Sequence, residues 1–163
     1  MEITLKIIVL YIAILLTGLS AGLFYSWQAS VIPGTKLTRD STYIETMQKI
    51  NRAIINPPFM LIFLGSLLVQ VLSVLFYWNT GISLWLILAA TLIYGAGTVI
   101  VTGLGNVPLN DALDELHLDD LSQEEISKER HDYEVPWNRL HLVRTIFAVL
   151  SFMLLLFAAF INS

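Results

Sequence analysis

FMLIFLGSLLVQVLSVLFYW, residues 59–78, runs into NTG at 79–81 and then into ISLWLILAATLIYGAGTVIVTGL at 82–104. Across 59–104 there is no Asp, Glu, Lys or Arg. A helix crossing the roughly 30 Å hydrocarbon core of a bilayer needs about 20 mainly apolar residues, and each flank of the NTG turn supplies that length. Strands are far shorter, roughly 5–6 residues in most sheets. A three-residue turn between two such runs forces them to be antiparallel neighbours. The stretch reads as a transmembrane hairpin.

Working outward, residues 7–32 make a further apolar run, and so do residues 142–161, which the preceding residues extend back to 137. The expectation is one all-α domain over residues 1–163, an integral membrane four-helix bundle with spans at 7–32, 59–78, 82–104 and 137–161. Composition agrees: 56% of the 163 residues are hydrophobic and 13% charged, where a soluble domain runs nearer a quarter charged. Mean hydropathy is +0.71. Ser20-Ala21-Gly22 resembles a signal-peptide cleavage site. Yet the basic region before it is only Lys6, offset by Glu2, and the apolar run exceeds the roughly 7–15 residues of a signal core. The first span is read as a retained helix.

The two long loops hold the helix-capping signals. In 33–57, Thr42-x-x-Glu45 is a capping-box pattern, with Ile44, Met47, Ile50 and Ile54 following on one face; Pro57-Pro58 then ends or kinks that helix. In 105–140, one short helix is expected after Pro108 and another from Ser122, where Ser122-x-x-Glu125 repeats the capping pattern. Pro136 suits the first turn of the last span. The chain contains no cysteine, which excludes disulfides and thiolate chemistry. Its net charge of −4 argues against nucleic acid as a partner.

Orientation follows from the basic residues. Lys6 is alone on the terminal side, whereas Lys36, Arg39, Lys49, Arg52, Lys128, Arg130, Arg139 and Arg144 belong to the other. Setting aside Arg52, Arg139 and Arg144 as possible site residues still leaves five against one. The positive-inside rule then places both long loops in the cytoplasm and both termini outside, in what is expected to be a bacterial inner membrane. Tyr77, Trp78 and Trp85 read as the aromatic belt of the outer face.

Polar residues collect at the loop-side helix ends: Trp27 and Gln28; Asn51, Arg52 and Asn56; Asn106, Asn110 and Asp111; Trp137, Asn138, Arg139, His141 and Arg144. They are expected to line one vestibule. Trp137, His141 and Arg144 are spaced i, i+4 and i+7, hence on one helix face. Arg144 lies about 4 Å inside the apolar stretch at ~1.5 Å per residue. It either snorkels to the interface or points inward, where it would need a partner; Asp111 is the nearest candidate. Trp27 and Trp137 could equally be interface anchors. Gly18-x-x-x-Gly22 and the stripe Thr91, Gly95, Thr98, Thr102 read as packing seams, and Gln70 as an interhelical hydrogen-bond partner. His117 and His131 lie in an acidic loop, and Asp114-x-x-His117 is a single imperfect copy of the paired Glu-x-x-His that a di-iron bundle needs. No metal site and no cofactor is expected.

Four segments resemble a known family in order along the chain: Gly22-Leu23-Phe24-Tyr25-Ser26-Trp27, the run from Tyr43 to Arg52, Gly105-Asn106-Val107-Pro108-Leu109-Asn110, and Trp137-Asn138-Arg139-Leu140-His141-x-Val143-Arg144-Thr145. They look like the anthrone-oxygenase-like family of bacterial and fungal membrane proteins, much of which is known only as a domain of unknown function. The resemblance implies a membrane helical fold. For some fungal members it implies oxidation of an anthrone to an anthraquinone by oxygen with no established cofactor. On that basis His141 is the expected base, Arg144 or Arg139 the group that steadies the enolate, and Trp27 with Trp137 the aromatic slot. Asn51, Asn106, Asn110 and Asn138 are further expected substrate contacts. The other reading is a non-catalytic protein that binds a lipid, quinone or protein partner there; oligomeric state is open. The topology has a direct test. Single cysteines at Lys36 and Gln123 should resist an impermeant thiol reagent in intact cells, and one at Ser163 should react; the reverse pattern would invert the orientation.

Overall fold

The structure, a computed structural model, describes residues 4–161; residues 1–3 and 162–163, Glu2 and Ser163 among them, lie outside the described residues. Four helices are long and apolar enough to cross a membrane. They are α1 (Leu5–Thr35), α3 (Pro57–Phe76), α4 (Ile82–Asp114) and α5 (Gln123–Ile161). The shorter α2 (Asp40–Ala53) lies between the first two. Packing runs in a closed ring: α1 against α3 and α5, and α4 against α3 and α5. The outer surface carries leucine, isoleucine and phenylalanine, while serines, threonines and Gln70 are buried between helices. That distribution suits a lipid solvent, in which a polar side chain needs a protein partner.

Three helix ends differ from the sequence expectation, and proline explains two. Pro136 does not start a helix: α5 runs 39 residues through it. Proline has no N–H to give the carbonyl four residues back, a loss that membrane helices tolerate when neighbours re-satisfy the backbone. Likewise α4 does not stop at Leu104 but continues through Pro108 to Asp114. The third is α2, which begins at Asp40 rather than at a Thr42 cap. Asp40 is held by Arg130 of α5 at 2.8 Å, and Glu45 turns to Lys49 instead. Other local readings hold. Ser122 and Glu125 form the reciprocal cap, with Ser122 N donating to Glu125 Oε2 at 2.8 Å and Glu125 N to Ser122 Oγ at 3.3 Å. Asn56 Oδ1 accepts from Phe59 N at 2.9 Å, so Pro57 and Pro58 occupy the first turn of α3. Asn79 and Gly81 take positive φ in the hairpin turn. Tyr77 departs from the belt reading: it is only 1% exposed, whereas Trp78 and Trp85 face outward.

Mid-span, Gln70 Nε2 donates to Thr17 Oγ1 at 2.8 Å, and Ser151 Oγ reaches Ala90 O at 2.9 Å and Gln70 Oε1 at 3.4 Å. This one network touches all four spanning helices. Bonds of this kind contribute about 0.6 kcal/mol each, so its larger effect is to fix register. At the loop end, Arg130 ties Asp40, Glu134 and Thr38 O together and lies over the Tyr43 ring, which docks α2 on α5.

Helix approach is closest at Gly97, where an added Cβ would fall 2.1 Å from Phe147 Cγ. At Gly18 the ring of Phe152 is the neighbour, at 2.8 Å, and Gly22 faces open space, so only half of the expected Gly-x-x-x-Gly seam is a close contact. Gly97→Ala should therefore destabilise by about 1–3 kcal/mol through overpacking. It should lower the thermal midpoint in detergent, while Gly22→Ala leaves the midpoint in place. Equal midpoints would show that α4 and α5 sit farther apart than the structure places them.

Candidate functional site

Trp137, His141 and Arg144 do share one face of α5, and it points inward. The Trp137 and His141 rings stack with centroids 5.1 Å apart and planes 4° from parallel. The Arg144 guanidinium carbon lies 4.7 Å from the Phe24 ring centroid and 5.1 Å from that of Trp137. Arg144 is only 8% exposed, so it does not snorkel. Among the described residues no carboxylate pairs with it. Its donors go to His141 Nδ1, from Nε at 3.1 Å and Nη2 at 2.9 Å, and to Thr102 Oγ1 from Nη1 at 3.3 Å.

These contacts fix the histidine. Arginine has donors only, so Nδ1 of His141 must present its lone pair. Nε2 lies 3.1 Å from the carbonyl of Phe24, which only accepts, so Nε2 carries the proton. His141 is thus neutral, with both ring nitrogens committed. Thr102 is held in turn, donating to Thr98 O at 2.7 Å, and Thr98 Oγ1 donates to the Arg144 carbonyl at 3.2 Å. The threonine stripe expected as a packing seam is therefore partly a cradle for Arg144.

A second chain of bonds fixes two amides. Trp137 Nε1 donates to Asn110 Oδ1 at 2.8 Å, and Tyr133 OH donates to the same oxygen at 3.0 Å. Asn51 Nδ2 donates to Tyr133 OH at 3.3 Å. Because the indole can only donate, Asn110 cannot flip, and the order of the chain then sets Asn51 as well. Among the described residues, Oδ1 of Asn51 and Nδ2 of Asn110 have no hydrogen-bond partner, one acceptor and one donor.

Asn51 and Asn110 both line a cavity of about 300 Å³. Its apolar walls are Leu23, Phe24 and Trp27 of α1, Ile50 and Ile54 at the end of α2, and Phe59, Met60 and Phe63 of α3. Its polar lining comes from Asn51 and Arg52, from Thr102, Asn110, Asp111 and Asp114 of α4, and from His141 and Arg144. That volume is at the lower end of small-molecule pockets, and a mainly apolar wall with few polar groups is their usual character. At the rim Arg52 Nε contacts Asp114 Oδ1 at 2.7 Å.

Backbone irregularity concentrates at this level. Wide π-helical turns occupy Trp27–Val31, Gly95–Ile100 and Thr102–Asn106. The first precedes Pro33 and the third precedes Pro108, residues that cannot complete the helical ladder. Such turns are frequent at functional sites.

Not every expected residue arrives. Trp27, Asn51, Asn110, Trp137, His141 and Arg144 border the cavity. Asn106 does not: it is fully buried, its Nδ2 donates to Trp137 O at 3.3 Å, and its Oδ1 has no partner. Asn138 and Arg139 lie on other faces of α5, Arg139 exposed, and neither borders the cavity. Asp111 lines the cavity without pairing with Arg144. His117 and His131 are exposed, and among the described residues no three His, Asp or Glu side chains gather as a metal-binding group. Sequence reasoning missed Phe24, Tyr133 and Thr102. Tyr133 was within reach, four residues before Trp137 on the same face, but Pro136 hid the continuity of the helix.

The fold and the site define a multi-pass membrane protein with a buried arginine in an aromatic, loop-side cavity. The family model for anthrone oxygenase matches residues 47–154, and the chain belongs to that family. No curated protein and no solved structure matches it.

Proposed function

We propose that the protein is an oxygenase for a flat aromatic carbon acid of the anthrone type, with Arg144 holding the enolate oxygen. The observation that carries this reading is the guanidinium itself, buried without a carboxylate and bordering an aromatic-walled cavity. Removing the carbon-bound proton of such a substrate sends the electron pair through the ring to its carbonyl oxygen, which becomes an oxyanion. A fixed cation at that oxygen stabilises the charge as it develops. The carbanion form then bonds to dioxygen, giving a peroxide that takes up a proton. Loss of water breaks the O–O bond, the second hydrogen leaves the carbon, and a new C=O forms. The sum is substrate plus dioxygen giving quinone plus water, and no cofactor enters these steps.

In this reading His141 is not the base. A base needs a lone pair that the substrate proton can reach, and that of His141 is held by Arg144. Its role in this reading is to position the guanidinium. This reading gives Arg139, exposed and away from the cavity, no part. Exposed apolar residues at the rim, Ile55 and Met60, also suit a non-catalytic protein that takes a lipid or quinone from the bilayer. Oxygen uptake separates the two. Purified protein given an anthrone should consume dioxygen above the autoxidation background. Arg144→Gln should lose about 10²–10³-fold, as for removal of an oxyanion donor, and Arg144→Lys should keep only part, since ammonium lacks the planar fork. Background-level uptake by the wild type, with a lipid or quinone found by mass spectrometry, would favour the binding protein.

A further inference from the structure

The oxygenase reading requires a base, and with His141 committed to Arg144 the cavity must supply another. Besides Arg144, four titratable side chains line it: Arg52, Asp111, Asp114 and His141. Arg52 carries donors only and offers no lone pair, and Asp114 is engaged by Arg52 at 2.7 Å. Among the described residues that line the cavity, Asp111 alone of these four has no ion pair and no side-chain hydrogen bond. Val107, Asn110, Asp111 and Asp114 all line the cavity, and their spacing of i, i+3, i+4 and i+7 puts them on one face of α4.

Placement also favours it. In an anthrone the acidic carbon lies across the central ring from the carbonyl, so base and cation must stand at opposite edges of that ring. His141 and Arg144 are a single helical turn apart and in direct contact, hence at the same end. Arg144 is buried, whereas Asp111 is exposed on a different helix that borders the same cavity. We infer that Asp111 takes the carbon-bound proton of a substrate whose carbonyl oxygen rests on Arg144. The proton moves to a carboxylate oxygen, the electron pair passes through the ring toward Arg144, and the exposed acid returns the proton to water before the next turnover. Asn51 and Asn110 line the same cavity.

This inference rests on the oxygenase reading and is tested separately from it. With wild-type uptake established, Asp111→Asn should lower kcat about 10²–10³-fold, the usual scale for a positioned base, with KM little changed. The thermal midpoint should hold, because the side chain is exposed and unpaired. The acid-side fall of kcat/KM with pH should be lost in the variant. Deuterium at the acidic carbon should slow the variant more than the wild type. An active wild type and an Asp111→Asn variant with the same rate and the same acid limb would overturn Asp111 as base and leave the oxygenase reading standing. A wild type without uptake would overturn both.

Discussion

A guanidinium buried in a membrane helix without a carboxylate is the constraint around which the loop-side half of this protein is arranged. Removing a cation from water costs several kcal/mol even after relaxation, and membrane segments carry such groups rarely and for a function. Here the cost is offset in pieces. Two aromatic faces, Phe24 and Trp137, flank the cation. His141 and Thr102 take its donors. The histidine can do so only in one tautomer, which the Phe24 carbonyl imposes. Residues from α1, α4 and α5 are thus positioned with reference to one side chain.

Backbone departures follow the same division. Mid-span, the Gln70 network holds the four helices in register. Toward the loops, π turns and interior prolines loosen α1 and α4 at the level of Trp27, Thr102 and Asn106. Arg130 then closes the end by anchoring α2 and the α1–α2 connection to α5. The cavity takes its apolar walls from α1, the end of α2 and α3, and most of its polar lining from α4 and α5.

The spans were legible because an uncharged run as long as 59–104 has no other stable solution. The helix ends were not, because proline weakens a helix without deciding whether tertiary contacts will carry it onward; Pro108 and Pro136 both lie inside helices. That Trp137, His141 and Arg144 share one face followed from spacing alone; that this face points inward did not. What each side chain bonds to did not, since that depends on the other helices. Sequence proximity in a loop suggested Asp111 as the partner of Arg144, whereas the structure gives that place to His141. Asn106, Asn138 and Arg139 belong to the same polar segments as the site residues, and only the direction in which each side chain leaves its helix separates them from the cavity.

If Arg144 is kept for a ligand and not for the fold, its removal should relieve the protein. The direct measurement pairs Arg144→Met thermal unfolding in detergent with binding of an aromatic carboxylate, a naphthoate, followed by tryptophan fluorescence. An unchanged or higher midpoint with binding lost is the result expected of a cation whose burial the fold does not need. A midpoint lowered by several degrees, with naphthoate still bound, would make the guanidinium a structural anchor and contradict the account.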